Sequence, residues 1–351
     1  MGGYPLTQHF FRPIFRSSFS LAQHCVRSAK QVSNKGKLMS LPTRNDVMEA
    51  ADRIRGSVIE TPLRSMELSG SRIWLKCESL QTGGAFKLRG ATNRLLKLSA
   101  EERLRGVVAF SSGNHAQGVA IAAERLGILA AIVMPSDAPA LKVEGTRRHG
   151  AEIVFYDRVT EDRVAIARSL AENRGATLVP SFDDPDIVAG QGTAGLEISA
   201  QCPEPVRHIL VPTGGGGLAS GIALACPDAA LTCVEPDGWD DMGRSLRGGE
   251  IVPVGADAPP TLCDALQTPK VSPITFGILK ARGAGALSVS EDQTRAAVRH
   301  AYRELGLIVE PGGAVALAAV LAGKAAIQPG TVVVLSGGNI DPAVHAEIVN
   351  A

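Results

Sequence analysis

The sequence predicts an α/β protein built on mostly parallel sheets covered by helices. Short aliphatic runs alternate with amphipathic segments from Thr43 onward. Only 4% of the 351 residues are aromatic while 45% are hydrophobic, as expected where buried parallel strands are aliphatic. Glycine-rich or polar loops follow several strand-like runs directly, the position where open α/β sheets bind ligands.

Taken in order, residues 45–55 read as a helix and 73–78 as a strand. Helix 87–98, strand 107–112, helix 115–126 and strand 130–135 follow. Then come helix 140–149, strand 152–156, helix 161–173, strand 177–180 and helix 186–199. Strand 208–212, helix 218–225 and strand 231–234 lead into a long polar region, 236–283. Strand 287–289, helices 291–305 and 312–322, and strand 331–335 close the pattern. Pro311 suits the first turn of its helix, where a missing N–H is not needed.

The first 38 residues lack Asp and Glu but carry Arg12, Arg16, Arg27, Lys30, Lys35 and Lys37. They read as an extension outside the fold: a mis-assigned start or disordered tail ahead of Met39, or an organelle transit peptide. The first reading goes with a cytoplasmic location, the second with a mitochondrial one. The net charge of +1 gives no electrostatic case for nucleic acid or membrane partners. No apolar run is long enough to span a bilayer. The six cysteines form no CxxC pair and read as free thiols, mostly buried.

The chemistry is concentrated in the loops. In Gly83-Gly84-Ala85-Phe86-Lys87-Leu88-Arg89-Gly90-Ala91 a single lysine stands among small residues, where a planar group can approach. Packing there lowers a lysine pKa and exposes a nucleophilic amine, able to form a Schiff base. Thr213-Gly214-Gly215-Gly216-Gly217-Leu218 opens a helix with successive glycine N–H groups, a phosphate cradle. Ser111-Ser112-Gly113-Asn114-His115 gathers hydroxyls, an amide and N–H donors at a helix start, suited to a carboxylate. Ser336-Gly337-Gly338-Asn339 ends the last strand, and its serine can bond a ring nitrogen without protonating it. Gly214-x-Gly216-x-x-Ala219 with Glu235 also fits a dinucleotide fingerprint, hence an NAD-dependent oxidoreductase as a distant alternative. That unit lies in mid-chain, and it leaves the lysine loop without a role.

With Ala189-Gly190-Gln191-Gly192-Thr193, these loops resemble the fold type II pyridoxal phosphate (PLP) enzymes, closest to the threonine dehydratase and serine racemase branch. Pro135 to Pro139 with Lys142, and Val234-Glu235-Pro236, are similar to the same family, over residues 43–345 in all. The resemblance implies a tryptophan synthase beta-like fold of two open twisted sheets, with the cofactor in the cleft between domains. The large domain is expected at 39–105 and 179–351, the small one at 106–178. It also implies that Lys87 is the Schiff-base lysine, with Phe86 beside it in the cofactor site. Asn114 would bind the phenolic oxygen, Gly214, Gly215, Gly216 and Gly217 the phosphate, and Ser336 the pyridine nitrogen. Ser111, Ser112, Gly113, Asn114 and His115 would hold the substrate carboxylate, and Ser112 would be the second proton-transfer residue of a racemase. Glu235, Asp241 and the carbonyl of Trp239 would hold Mg²⁺ or Ca²⁺. Asp264-Ala265 and Glu310-Pro311-Gly312-Gly313-Ala314 depart from the family pattern near the active-site floor. The expected reaction is β-elimination of a β-hydroxy amino acid, L-threonine or L-serine, to an α-keto acid and ammonia. Serine racemisation and dehydration of 3-hydroxyaspartate share every motif. The expected assembly is a homodimer or homotetramer.

Overall fold

The computed structural model describes residues 1–3, 31–32, 38–39, 41–111, 113–138 and 140–351. The described residues divide into two units, one within 1–41 and one within 42–351. In the first, Gln31–Val32 (β1) pairs antiparallel with Leu38–Met39 (β2). The second carries two sheets and, among the described residues, all the helices.

The chain of the second unit runs α1 (Arg44–Ile54), β3 (Leu63–Leu68), β4 (Ser71–Cys77), α2 (Lys87–Leu96), α3 (Ala100–Arg105) and β5 (Val107–Phe110). It continues through α4 (Asn114–Leu126), β6 (Ala130–Pro135), α5 (Ala140–Arg147), β7 (Glu152–Tyr156), α6 (Arg163–Arg174), β8 (Thr177–Leu178) and α7 (Pro185–Gln201). Then follow β9 (His208–Pro212), α8 (Gly217–Ala225), β10 (Ala230–Pro236), α9 (Asp241–Gly248) and α10 (Pro273–Ala281). The last elements are β11 (Gly285–Val289), α11 (Glu291–Arg303), α12 (Pro311–Leu321), β12 (Thr331–Leu335) and α13 (Pro342–Asn350). Among the described residues no helix is long and apolar enough to cross a membrane.

The larger sheet has the order β11-β10-β9-β12-β4-β3 and the smaller one β7-β6-β5-β8. Every pair is parallel except β3–β4. The parallel interior explains why β6 and β12 are buried along their whole length and read as unbroken aliphatic runs. Leu210, Val234 and Val333 point into a core shared with α12, which is buried all round. Alternation along each strand turns Ile209, Val211 and Val332 to the opposite face. In the smaller sheet Ala109, Ile132 and Met134 pack with α2 and α4, while Val108, Ala131 and Val133 pack with α6.

Five elements of this unit lie outside the predicted pattern. β3 is an antiparallel edge with few buried positions, so its hydrophobic signal is weak. α3 is a single short turn-and-a-half held by a Ser99–Glu102 capping box. The polar region 236–283 contains α9 and α10, and α13 follows the last strand.

Candidate active site

The site forms at the carboxyl edge of the strands. β9 and β12 are neighbours, and the chain order reverses between them, so loops 213–217 and 336–339 flank a topological switch point. The loop after β4 joins them: Ala85 bridges Gly337, Phe86 N–H donates to Ser336 O at 3.2 Å, and Gly338 N–H to Gly84 O at 2.8 Å. Gly84 has φ +71°, and a Cβ there would overlap the Asn339 amide, so glycine is required. The loop after β5, from the smaller sheet, completes the set. Asn114 Oδ1 accepts from Asn339 Nδ2 at 2.8 Å, and Asn114 Nδ2 donates to Glu310 Oε1 at 2.5 Å.

Lys87 opens α2 at this junction, half-buried. Its Nζ donates to Ser181 O at 3.2 Å and lies 5.1 Å from the Phe86 ring centroid. Burial lowers its pKa from 10.5 to about 8, against the opposing pull of Glu310. Two other lysines nearby are spent differently. Lys76 is fully buried and bonded to Thr61 O, Glu197 and Gln201; Lys142 is ion-paired with Asp264. Lys87 alone of these three meets only a neutral acceptor.

The glycine loop is closely wrapped. A Cβ on Gly215 would overlap the Phe182 ring, and one on Gly216 would come within 2.6 Å of Met242 Cε. The N–H groups of Gly214, Gly215, Gly216 and Gly217 donate to no described residue. Buried donors left open at a helix start form an anion site.

In the loop after β5, Ser111 N–H is used by Val133 O at 3.1 Å, and Gly113 N–H reaches Ser111 Oγ at 3.2 Å. His115 Nε2 bonds Val179 O at 3.0 Å, which makes Nε2 the protonated nitrogen. Its Nδ1 is buried without a partner among the described residues, and burial, then the Lys87 charge, lowers the pKa to about 3. The imidazole is therefore neutral at pH 7. Ser112 lies outside the described residues. The Ser336 side chain is buried beside Gly337.

Sequence reasoning did not place Glu310 or Asn339 among the site residues. Glu310 is buried, and burial, then Asp264, pushes its carboxyl up to about 8, against Asn114, Lys142 and Lys87. Both stand inside runs the sequence already marks, 310–314 and 336–339. Their contacts to Asn114 cross 196 and 225 residues and leave no local signature.

Away from this junction, Glu235 is buried and accepts N–H bonds from Met242 (2.9 Å) and Gly243 (2.8 Å) at the start of α9. Glu235 is 0% exposed and each of its oxygens faces an N–H group of α9, so its carboxylate is turned into the protein and not toward a ribose site, which weighs against the dinucleotide reading. Asp241 is buried, and neither carboxylate oxygen has a well-aligned donor among the described residues. Its own N–H and that of Val271 hold its pKa down only partly, and burial raises it to about 7. The Trp239 indole donates to Pro259 O at 2.8 Å. Among the described residues no three His, Cys, Asp or Glu side chains cluster to hold a metal.

Residues 54–338 match the family model described as pyridoxal-phosphate dependent enzyme. The chain belongs to that family. It is 43% identical over 320 residues to an L-threo-3-hydroxyaspartate ammonia-lyase of a Pseudomonas species, covering 89% of this chain and 99% of that one. It superposes on maize serine racemase with a TM-score of 0.83 at 34% identity, over 88% of this chain and 96% of that one. On the serine racemase of Dictyostelium discoideum the TM-score is 0.79 at 35% identity, over 86% and 99%. The fold is the fold type II arrangement of PLP enzymes. The residues present fit the cofactor: the open N–H groups of the glycine loop suit a phosphate, and Lys87 offers an amine without a charged partner.

Proposed function

We propose that this enzyme removes the β-hydroxyl of a β-hydroxy amino acid as water, then releases ammonia to leave an α-keto acid. The observation that carries the reading is Lys87: burial lowers its amine's pKa to about 8, it meets only the Ser181 carbonyl among the described residues, and it stands where the loops after β4, β5 and β12 converge.

When bound, PLP supplies the electron sink that makes an α-proton labile. Lys87 would hold the cofactor through Nζ and, displaced by the substrate amine, would take the α-proton as general base. The N–H groups of Gly214 to Gly217 would bind the phosphate, with Phe86 flanking the lysine. Asn114 has one N–H left after Glu310, and it would go to the phenolic oxygen. Ser336 would meet the ring nitrogen with a neutral hydroxyl, which weakens the sink relative to an acid and favours prompt loss of the β-hydroxyl. Since Ser111 N–H is spent in the sheet, the substrate carboxylate would use the Ser111 hydroxyl and the N–H groups of Asn114 and His115 at the start of α4. The second proton-transfer role of Ser112 rests on the sequence resemblance alone.

A substrate with a second carboxylate has a further partner. Lys142 Nζ lies 3.8 Å from the Cβ position of Gly113, side chain 13% exposed, and pairs with Asp264 across the cleft. A distal carboxylate would take this cation from Asp264, which favours 3-hydroxyaspartate over L-threonine and L-serine. The relative 43% identical to this chain bears that activity in its name. In this reading 106–178 is the smaller domain, carrying Asn114 and Lys142 against the rest. Asp241 would be the main ligand of a Mg²⁺ or Ca²⁺, because its oxygens lack a well-aligned donor among the described residues while each oxygen of Glu235 already accepts an N–H bond.

A keto-acid assay over L-threonine, L-serine and the 3-hydroxyaspartates, with and without Mg²⁺, tests the proposal. Keto acid and ammonia in equal amounts support it. Absence of keto acid from every substrate overturns it, and chiral analysis of the recovered amino acid distinguishes a racemase.

A further inference from the structure

Glu310 is the N-cap residue of α12, and the residue is 2% exposed. Oε1 accepts from Asn114 Nδ2 at 2.5 Å, while Oε2 has no hydrogen-bond partner among the described residues. The backbone is pinned as well: Glu310 N–H donates to Gly337 O at 3.0 Å, and Gly313 N–H to Glu310 O at 2.9 Å. A Cβ on Gly337 would overlap Oε1, so the carboxyl group lies directly on the loop that follows β12.

The amide network around it admits one orientation. Asn339 Nδ2 donates to Gly83 O at 2.7 Å and to Asn114 Oδ1 at 2.8 Å, which uses both its protons. Asn114 therefore presents its oxygen to Asn339 and its nitrogen to Glu310. The result is a relay from Gly83 through Asn339 and Asn114 that ends on a carboxyl group with one bare oxygen. A buried carboxylate with an unpaired oxygen is costly, and a proton on Oε2 removes most of that cost. Of the charged groups that face it, Asp264 opposes ionisation, and Lys142 and Lys87 favour it. Lys142 is already paired with Asp264.

We propose that Glu310 is a proton-holding residue of the cofactor site: as the neutral acid it donates Oε2–H to the phenolic oxygen of PLP, beside the second N–H of Asn114. This rests on the reading of the site given above. An ionised Glu310 would set a carboxylate oxygen against the phenolic oxygen, and the two would repel. Cofactor binding must then strengthen the hold of Glu310 on its proton, and by reciprocity the proton strengthens cofactor binding.

The test is a carbon-13 titration of protein labelled at the glutamate δ-carbon, as apo-protein and after addition of pyridoxal 5'-phosphate. Glu310→Gln assigns the signal by its loss; Glu310→Asp does so equally if the Gln protein does not fold. In the apo-protein the assigned carboxyl should titrate near 8. With cofactor bound its midpoint should rise by about one unit or more. Reduction with borohydride, run alongside, reports where the cofactor is attached. Cofactor on Lys87 with no movement of the Glu310 signal overturns the inference and leaves the reading of the site intact. Cofactor on another lysine overturns that reading, and the inference falls with it. An assigned carboxyl that titrates in the ordinary range also overturns the inference.

Discussion

Replacing Arg89 by methionine keeps the length of the buried stem and removes the charge at the centre of a buried network. Arg89 binds Glu78 through Nε and Nη2, both at 2.8 Å, and Glu197 through Nη1 at 2.5 Å and Nη2 at 2.8 Å. The side chains of Arg89 and Glu78 are 0% exposed. Without Arg89, Glu78 keeps the Thr61 hydroxyl at 2.5 Å and the more distant charge of Lys76. Breaking a buried pair from one side costs about 3–5 kcal/mol. An unfolding entropy of about 2 cal/mol/K per residue gives roughly 0.65 kcal/mol/K for a unit of about 310 residues, hence a fall in Tm of about 5–8 °C.

The pH dependence supplies a second signature. In the wild type, Arg89 overcomes burial and holds the Glu78 pKa below 4.5, so Glu78 stabilises above that value and the gain is lost on acidification. In Arg89→Met burial dominates, the folded pKa lies above the unfolded one, and the penalty grows as pH rises from 4.5. The Tm deficit should therefore be small near pH 4 and full at pH 7. Differential scanning fluorimetry at both values measures it, and adding Glu78→Gln should recover much of the loss at pH 7. A deficit under about 1 °C at pH 7 would refute the reasoning. Because Arg89 lies two residues after Lys87 on α2, cofactor affinity should fall with it.

Three further expectations follow from single groups. Gly215→Ala sets a methyl against the Phe182 ring, an overpacking cost of about 1–3 kcal/mol, and should weaken PLP binding about tenfold in an absorbance titration; unchanged affinity would count against the phosphate cradle. In apo-protein, the rate at which an amine-reactive reagent labels Lys87 should be half-maximal near pH 8, with the neutral amine the reactive form. A wild-type midpoint near 10.5 would contradict the burial argument; Glu310→Gln should shift the midpoint down, because Glu310 raises the Lys87 pKa, and an unmoved one would contradict that coupling. Asp241 has a folded pKa of about 7 against 3.8 unfolded, so its penalty is absent below 3.8 and complete above 7. Asp241→Asn should raise Tm at pH 8, by an amount equivalent to at most about 4 kcal/mol, and leave it unchanged at pH 3.5. Mg²⁺ or Ca²⁺ should raise the Tm of the wild type at pH 8 and not that of Asp241→Asn; equal responses would remove the cation from this site.

Much of this molecule is legible in its sequence because its physics is local. Parallel strands buried on both faces must be aliphatic along their length, so β6, β9 and β12 announce themselves. Loops with backbone jobs must carry glycine, so 83–90 and 213–217 stand out. The illegible parts are those set by partners far along the chain. Lys76 looks like any strand lysine until Glu197 and Gln201, 121 and 125 residues away, are seen to hold it. Glu310 reads only as the first residue of a run, 310–314, that departs from its motif at Gly312, until the Asn114 contact shows what its carboxyl group meets. α10 was legible in principle, since Ser272-Pro273 with Thr275 forms a capping box, but the polar residues around it obscured the signal.

The most direct test of the central claim is borohydride reduction of the PLP-loaded protein, followed by protease digestion and mass spectrometry. The account predicts a single pyridoxyl group, on the peptide that contains Lys87, and its absence from Lys87→Ala. A pyridoxyl group on Lys76, Lys142 or any other lysine of the folded enzyme would contradict it.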